Sequence, residues 1–243
     1  MASAGVVTLR DNVERVRATV ADAAARAGRA PSSVTLVAVS KTHPAELVAE
    51  VAALGVELFG ENRVQEAEAK IARVRELLGS DSLGNGPSWH MIGSLQRNKV
   101  RPCLALFDLI QSVDSPRLAE AISARAAGRR VPVLLEVYVG DDPERPGFRP
   151  DDLLATTAAA VLDLSGLDVR GLMTVAPLGA TGDAAQAAFR QLRELRDELR
   201  RRHPAAGLEE LSMGMTDDYP LAIEEGATIV RVGRAIFGER ATR

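Results

Sequence analysis

The sequence predicts an α/β fold, a single (β/α)8 barrel with an extra helix in front. Short runs rich in Val, Ile and Leu recur eight times, and each is followed by a helix or helical turn. No glycine-rich turn follows the first of these runs, which argues against an open doubly wound sheet. The length of 243 residues suits one barrel, and no Pro-, Gly- or Ser-rich linker divides it, so residues 1–243 read as one domain.

From about Val7 to Ala27, the residues Leu9, Val13, Val16, Val20 and Ala23 or Ala24 recur at helical spacing with charges between them, which predicts the leading amphipathic helix. Strand one is VTLVAVS (34–40), followed by a helix over Pro44–Leu54. VELFG (56–60) precedes a helix over Asn62–Leu78, and WHMIG (89–93) precedes one over Leu95–Leu106. FDLIQSV (107–113) leads to Ser115–Ala127, where Asp114 or Ser115 with Pro116 supplies the start signal. PVLLEVYV (132–139) leads to Pro150–Leu164, and VRGLMTV (169–175) leads to Asp183–Arg202, opened by Thr181 or Asp183. In that last helix Phe189, Leu192, Leu195 and Leu199 form a stripe, so its many charges are a solvated face rather than a binding patch. EELSMG (209–214) leads to Asp217–Glu225, and ATIVRV (227–232) is the eighth strand. Gly28, Gly55, Gly128, Gly166 and Gly226 stand where helices should stop. The runs at 56–60 and 209–214 are short and weakly β-branched, and they are the softest part of the pattern.

Composition excludes several functions. With 46% apolar but 3% aromatic residues, the core must be built from Ala, Val, Leu and Ile. The net charge of −3 is small and the charges are interspersed, so nothing suggests a nucleic-acid surface. Cys103 is the single cysteine, which rules out an internal disulfide and favours a cytoplasmic setting; it reads as a small buried apolar residue beside Leu104 and Leu106. MASAGVVTLRDNVERVRATV becomes charged too early for a signal peptide, and no stretch approaches the ~18 apolar residues of a membrane span. His43, His90 and His203 lack metal-ligand spacing, and His90, inside strand three, reads as a packed, hydrogen-bonded histidine, with a pocket contact as the weaker alternative.

Lys41 is the residue that asks for a chemical explanation. Three lysines stand among thirty basic residues, and this one closes the most apolar strand. A lysine can lose its proton and act as a nucleophile, whereas an arginine cannot. A strand-end lysine reaching for solvent is the equally weighted alternative. Ligands in barrels sit at the C-terminal ends of strands, where this chain offers Ser40-Lys41, Gly60-Glu61-Asn62, Gly93-Ser94, Thr174, Ser212 to Thr216, and Arg231 to Arg234. The last two segments carry the glycines, hydroxyls and amides that suit a phosphate, though Gly214 and Gly233 could simply allow tight turns. An amine facing a phosphate pocket suits a Schiff base to pyridoxal 5′-phosphate (PLP), or an aldolase without cofactor. Aldolases of this kind generally place the lysine on strand six, and VRGLMTV has none.

AVSKTHP, FGENRVQEA, WHMIGSLQRNK, GLMTVAP and LSMGMTDDYPLAIEEGATIVRVGRAIFGER, in this order and spacing from about Val34 to Arg240, resemble the pyridoxal phosphate homeostasis protein family. The resemblance implies a fold-type III TIM barrel like the N-terminal domain of alanine racemase, without its C-terminal β-domain. It implies that Lys41 holds the PLP aldehyde, that Ser212, Gly214, Gly233 and Arg234 lie around the phosphate, that Arg231 lies near the pyridine nitrogen, and that Asn62 approaches the ring or its hydroxyl. Arg63 stands where the family often has Tyr, Tyr138 where strand five often has Asn, Arg145 near a frequent Lys, and Arg234 where Ser or Thr often contributes a hydroxyl. If Arg234 points outward, the phosphate relies on Ser212 and main-chain amides.

A racemase needs a second base, a tyrosine of a separate domain in the resembling enzymes. The tyrosines here are Tyr138 and Tyr219, the latter reading as an exposed cap-region residue, and no second domain is expected. The expectation is therefore a monomeric, non-catalytic PLP store or carrier, with apo PLP-dependent enzymes and free amino acids as its further partners. The alternative is a PLP-dependent racemase or lyase of limited scope.

Overall fold

In the computed structural model, residues 8–79, 86–177 and 179–239 are described. Helix α1 (Leu9–Arg26) is set by a capping box: the Thr8 hydroxyl accepts from the Asp11 amide at 3.2 Å while the Asp11 carboxylate accepts from the Thr8 amide at 2.9 Å. The start expected at Val7 lies outside the described residues. Eight parallel strands then close on themselves in sequence order. They are β1 (Thr35–Val39), β2 (Leu58–Glu61), β3 (Ser88–Met91), β4 (Leu109–Val113), β5 (Val131–Glu136), β6 (Leu167–Met173), β7 (Glu210–Ser212) and β8 (Ile229–Val232). Closure comes from β8 pairing β1, with Thr35 opposite Ile229 and Ala38 opposite Val232.

The helices are α2 (Ala45–Ala53), α3 (Val64–Leu78), α4 (Val100–Leu106), α5 (Pro116–Ser123), α6 (Pro150–Asp152), α7 (Ala158–Leu162), α8 (Asp183–Arg202), α9 (Tyr219–Glu224) and α10 (Arg234–Phe237). The eight expected strands all form, and the differences fall at element ends. The helix expected from Leu95 begins at Val100 behind a 3-10 turn over Arg97–Lys99, and the one expected over Pro150–Leu164 is broken by a π-helical turn over Leu153–Thr157. The helix expected to reach Ala127 ends at Ser123, and Ala127 itself takes a left-handed φ of +54°. Helix α1 packs on α9 and α10; Asn12 Nδ2 donates to the Ile236 carbonyl and Arg29 Nη1 to the carbonyls of Ile223 and Ala227.

The interior is layered by the two-residue period of the strands. Val37, Leu109, Leu134, Met173 and Ile229 form a buried apolar cluster of their own, distinct from the large core between strands and helices. One step along the same faces toward the C-terminal ends come Val39, Gln111, Glu136 and Arg231. A dry plug is thus followed by a polar layer below the mouth.

Candidate functional site

The alternation that buries Val37 continues through Val39 to Lys41, so the strand-one lysine opens into the mouth. There it lines a cavity of about 260 Å³ with Val39, His43, Gly233 and Arg234. The turn behind it is strained: Thr42, a β-branched residue, has φ +69°, a conformation that costs of order 1–3 kcal/mol. His43 stacks on Phe237 with ring centroids 4.7 Å apart, which ties this turn to α10.

Ser40, on the opposite face of the strand, anchors its end. Its hydroxyl donates to Glu61 Oε1 at 2.8 Å, and Lys70 Nζ donates both to that oxygen at 2.6 Å and to the Ser40 carbonyl at 2.8 Å. Glu61 is fully buried, and its Oε2 has no hydrogen-bond partner. The pair therefore joins β1, β2 and α3 immediately behind Lys41.

In the polar layer Arg231 is buried and its guanidinium donates to Ser212 Oγ at 2.6 Å and to the Thr174 carbonyl at 2.8 Å. Burial lowers its pKa to about 10, against the pull of Glu136 and Asp218, and it remains a cation at neutral pH. Burial, with Asp114 adding to it, pushes Glu136 up to about 7 against the opposing charges of Arg231 and Arg145. Ser212 Oγ donates on to Gln111 Oε1 at 2.6 Å. Met215 N donates to Asp218 Oδ1 at 2.6 Å, shaping the turn after β7. Gly214 is required there, because its φ is +93° and a Cβ would lie 2.6 Å from that of Ala222.

Of the residues expected from the sequence, Lys41, Gly233 and Arg234 share one cavity, and Ser212 and Arg231 are directly bonded. Asn62 lines a different cavity, of about 410 Å³, with Ser94, Gln96 and Lys99, and shares none of its lining with that of Lys41; its Oδ1 is buried without a hydrogen-bond partner. Its main chain presses on Gly93, where a Cβ would sit 2.5 Å from the Asn62 carbonyl oxygen. The Arg234 guanidinium is turned to carboxylates, with Nη2 at 2.5 and 2.6 Å from the two oxygens of Asp217 and Nε at 3.3 Å from Glu239. Arg63 pairs with Glu66 at 3.0 Å, and Arg149 lies 4.8 Å over the Tyr138 ring. Tyr219, expected to be exposed, is buried in the core.

Sequence reasoning passed over Gln111 and Lys70 and gave no role to Glu61 or Glu136. Lys70 carried the same signal as Lys41, a lysine kept in an arginine-rich chain. Gln111 and Glu136 stand as polar residues in largely apolar runs, a pattern that calls for a buried partner.

Residues 9–241 match the family described as "Alanine racemase, N-terminal domain". The pyridoxal phosphate homeostasis protein of Pseudomonas aeruginosa is 42% identical over 235 residues, covering 96% of each chain, and that of Aquifex aeolicus is 40% identical over 232 residues. The chain belongs to the pyridoxal phosphate homeostasis protein family. Among solved members is PipY of Synechococcus elongatus, 41% identical, covered 100% by a match over 95% of this chain. It superimposes with a TM-score of 0.83 in the structure without PLP and 0.82 in the structure with PLP bound. Alanine racemase of Clostridium difficile, at 15% identity and a TM-score of 0.69, shares the fold, with 57% of its length covered. The fold-type III TIM barrel expected from the sequence is thus the fold of this family.

Proposed function

We propose that this protein binds PLP through a covalent link from Lys41 Nζ and stores or delivers it in the cell, with no dedicated reaction of its own. The observation that carries this reading is the cavity that joins Lys41 to Gly233 and Arg234, one strand over from the buried cation Arg231. The donor set fits the cofactor. An amine suits its aldehyde, the unpartnered Asn62 Oδ1 suits its hydroxyl, and the first amides of α10 lack intrahelical acceptors and suit a phosphate. Because the Arg234 side chain is held by Asp217 and Glu239, its contribution is the main-chain N–H, with Gly214 and Gly233 beside it; the Ser212 hydroxyl, expected at the phosphate, gives its one proton to Gln111 and instead holds Arg231.

When bound, PLP supplies an electron-withdrawing ring and an aldehyde that captures amines. Arg231 governs how much of that reactivity is expressed. Beside the ring nitrogen, such a permanent cation would disfavour its protonation and weaken the electron sink, which suits a carrier better than a racemase. Apo PLP-dependent enzymes are the recipients, and the protein works as a cytoplasmic monomer. Relatives at about 40% identity carry the name pyridoxal phosphate homeostasis protein, which supports the same role.

The test is an absorbance spectrum of purified protein with PLP before and after borohydride, followed by peptide mapping. The expected result is a visible band, lost on reduction, with a pyridoxyl group on Lys41. Lys41→Ala should stay folded and lose the band; a band of equal intensity in that variant removes Lys41 from the proposal. A chiral assay over a panel of amino acids decides the remaining question. Turnover well above that of free PLP would establish a racemase or lyase instead.

A further inference from the structure

Four buried side chains from four strands form one chain across the barrel interior. Arg231 Nη1 donates to Ser212 Oγ at 2.6 Å, Ser212 Oγ donates to Gln111 Oε1 at 2.6 Å, and Gln111 Nε2 lies 2.8 Å from His90 Nδ1. None of the four is more than 7% exposed. With Gln111 Oε1 turned to Ser212, the donor inventory gives this chain a direction. A guanidinium has donors alone, so Ser212 accepts from it and passes its single proton to the carbonyl oxygen of Gln111. The amide nitrogen of Gln111 can then only donate, and Nδ1 of His90 must accept. That requires a neutral imidazole with its proton on Nε2.

The surroundings of His90 agree. It lines a cavity of about 340 Å³ at the N-terminal end of the barrel, with Asp108, Arg170 and Glu210 as the charged groups facing it. Burial holds its pKa down to about 4, Asp108 opposing that and Arg170 assisting it. Glu210 Oε2 is buried without a hydrogen-bond partner, and burial raises the pKa of that carboxyl. Across the physiological range the chain therefore keeps one polarity.

We propose that His90 and Gln111 are positioning residues for Arg231, forming a one-way relay that ends on a neutral Nδ1 and aims the guanidinium; the inference rests on the assignment of Arg231 to the cofactor ring nitrogen. A proton on Nδ1 would set two donors 2.8 Å apart. Gln111 would turn its amide over, and Ser212 would accept from both Gln111 and Arg231 while its own buried proton lost its acceptor, which loosens the hold on the guanidinium. A layer about the barrel's lower plug is thereby felt at the mouth.

Nitrogen-15 NMR of the histidines in cofactor-free protein tests the relay by itself. The expected result is a neutral Nε2–H tautomer for His90 from about pH 5 to about pH 8. An Nδ1–H tautomer overturns the relay whether or not PLP binds. In the PLP-loaded protein, His90→Leu removes the terminal acceptor and should weaken PLP binding up to about tenfold, the upper end for the loss of one hydrogen bond between neutral groups, and shift the visible band. His90→Asn, which keeps an acceptor near the Nδ1 position, should restore both. Gln111→Glu still accepts from Ser212 but draws a proton onto Nδ1, so its band and affinity should vary between about pH 5 and about pH 8 where the native protein is flat. Unchanged affinity and band in both His90→Leu and Gln111→Glu refute the positioning role. Native protein that takes up no PLP refutes the cofactor assignment, and the tautomer measurement then decides the relay.

Discussion

Replacing Lys70 by Met isolates the interaction that holds the end of β1 in place. Lys70 Nζ supplies two bonds, to Glu61 Oε1 and to the Ser40 carbonyl, and its side chain is 10% exposed while that of Glu61 is 0% exposed. Removing it leaves a carboxylate in the barrel wall with the Ser40 hydroxyl as its remaining donor. Breaking a buried pair from one side costs roughly 3–5 kcal/mol, mostly because a charge is left uncompensated. In a chain of this length that corresponds to about 6–20 °C in Tm, at about 2–4 °C per kcal/mol. Removing both charges in Glu61→Leu/Lys70→Met should cost far less than Lys70→Met alone, because no buried charge remains. Thermal unfolding followed by circular dichroism of the native protein, the two single variants and the double variant measures this. A double variant whose loss equals the sum of the two single losses would refute the reasoning, since the charges would then act independently. The functional counterpart is PLP uptake: Lys70→Met loses the bond to the Ser40 carbonyl, next to Lys41, and should colour more slowly.

Three further outcomes follow from particular contacts. Gly171→Ala places a Cβ 1.9 Å from the Glu210 carbonyl oxygen, where β6 and β7 pair, and should destabilise the barrel by more than the ~1–3 kcal/mol usual for overpacking; Gly207→Ala, with open space around it, should melt like the native protein. Glu136 has a folded pKa raised to about 7, so the folded chain binds a proton there that the unfolded chain has released. Its stabilising contribution is complete below the unfolded value of about 4.3 and is lost as pH rises to about 7; Glu136→Gln should flatten that part of a stability–pH profile measured with urea. Burial pushes the Cys103 thiol up to about 12 and the side chain is fully buried, so a thiol reagent at mild alkaline pH should label it at the rate of unfolding. Rapid labelling in native buffer would contradict the packing of α4.

Much of the architecture can be read from local pattern because each strand is a short β-branched run and each helix keeps an apolar stripe. VTLVAVS and VRGLMTV became β1 and β6 with their ends moved by a residue or two, and the Phe189–Leu199 stripe became the buried face of α8. Lys41 was visible for a compositional reason, and Gly214 in the turn after β7 for a conformational one. The partners of these residues were not visible. All five residues of β4 are buried, so no alternation there tells Gln111 that it faces inward.

By itself, then, the order of apolar runs determined a barrel of eight strands with an amine at the end of the first, since strand and helix periods act over neighbouring residues. The tertiary structure alone decided that Gln111 meets Ser212, 101 residues away, that Lys70 reaches behind Lys41 to Glu61, and that Arg234 turns to Asp217. Such pairings depend on which strand faces become opposite when the sheet closes and with what stagger, a property of the whole ring that no single segment encodes.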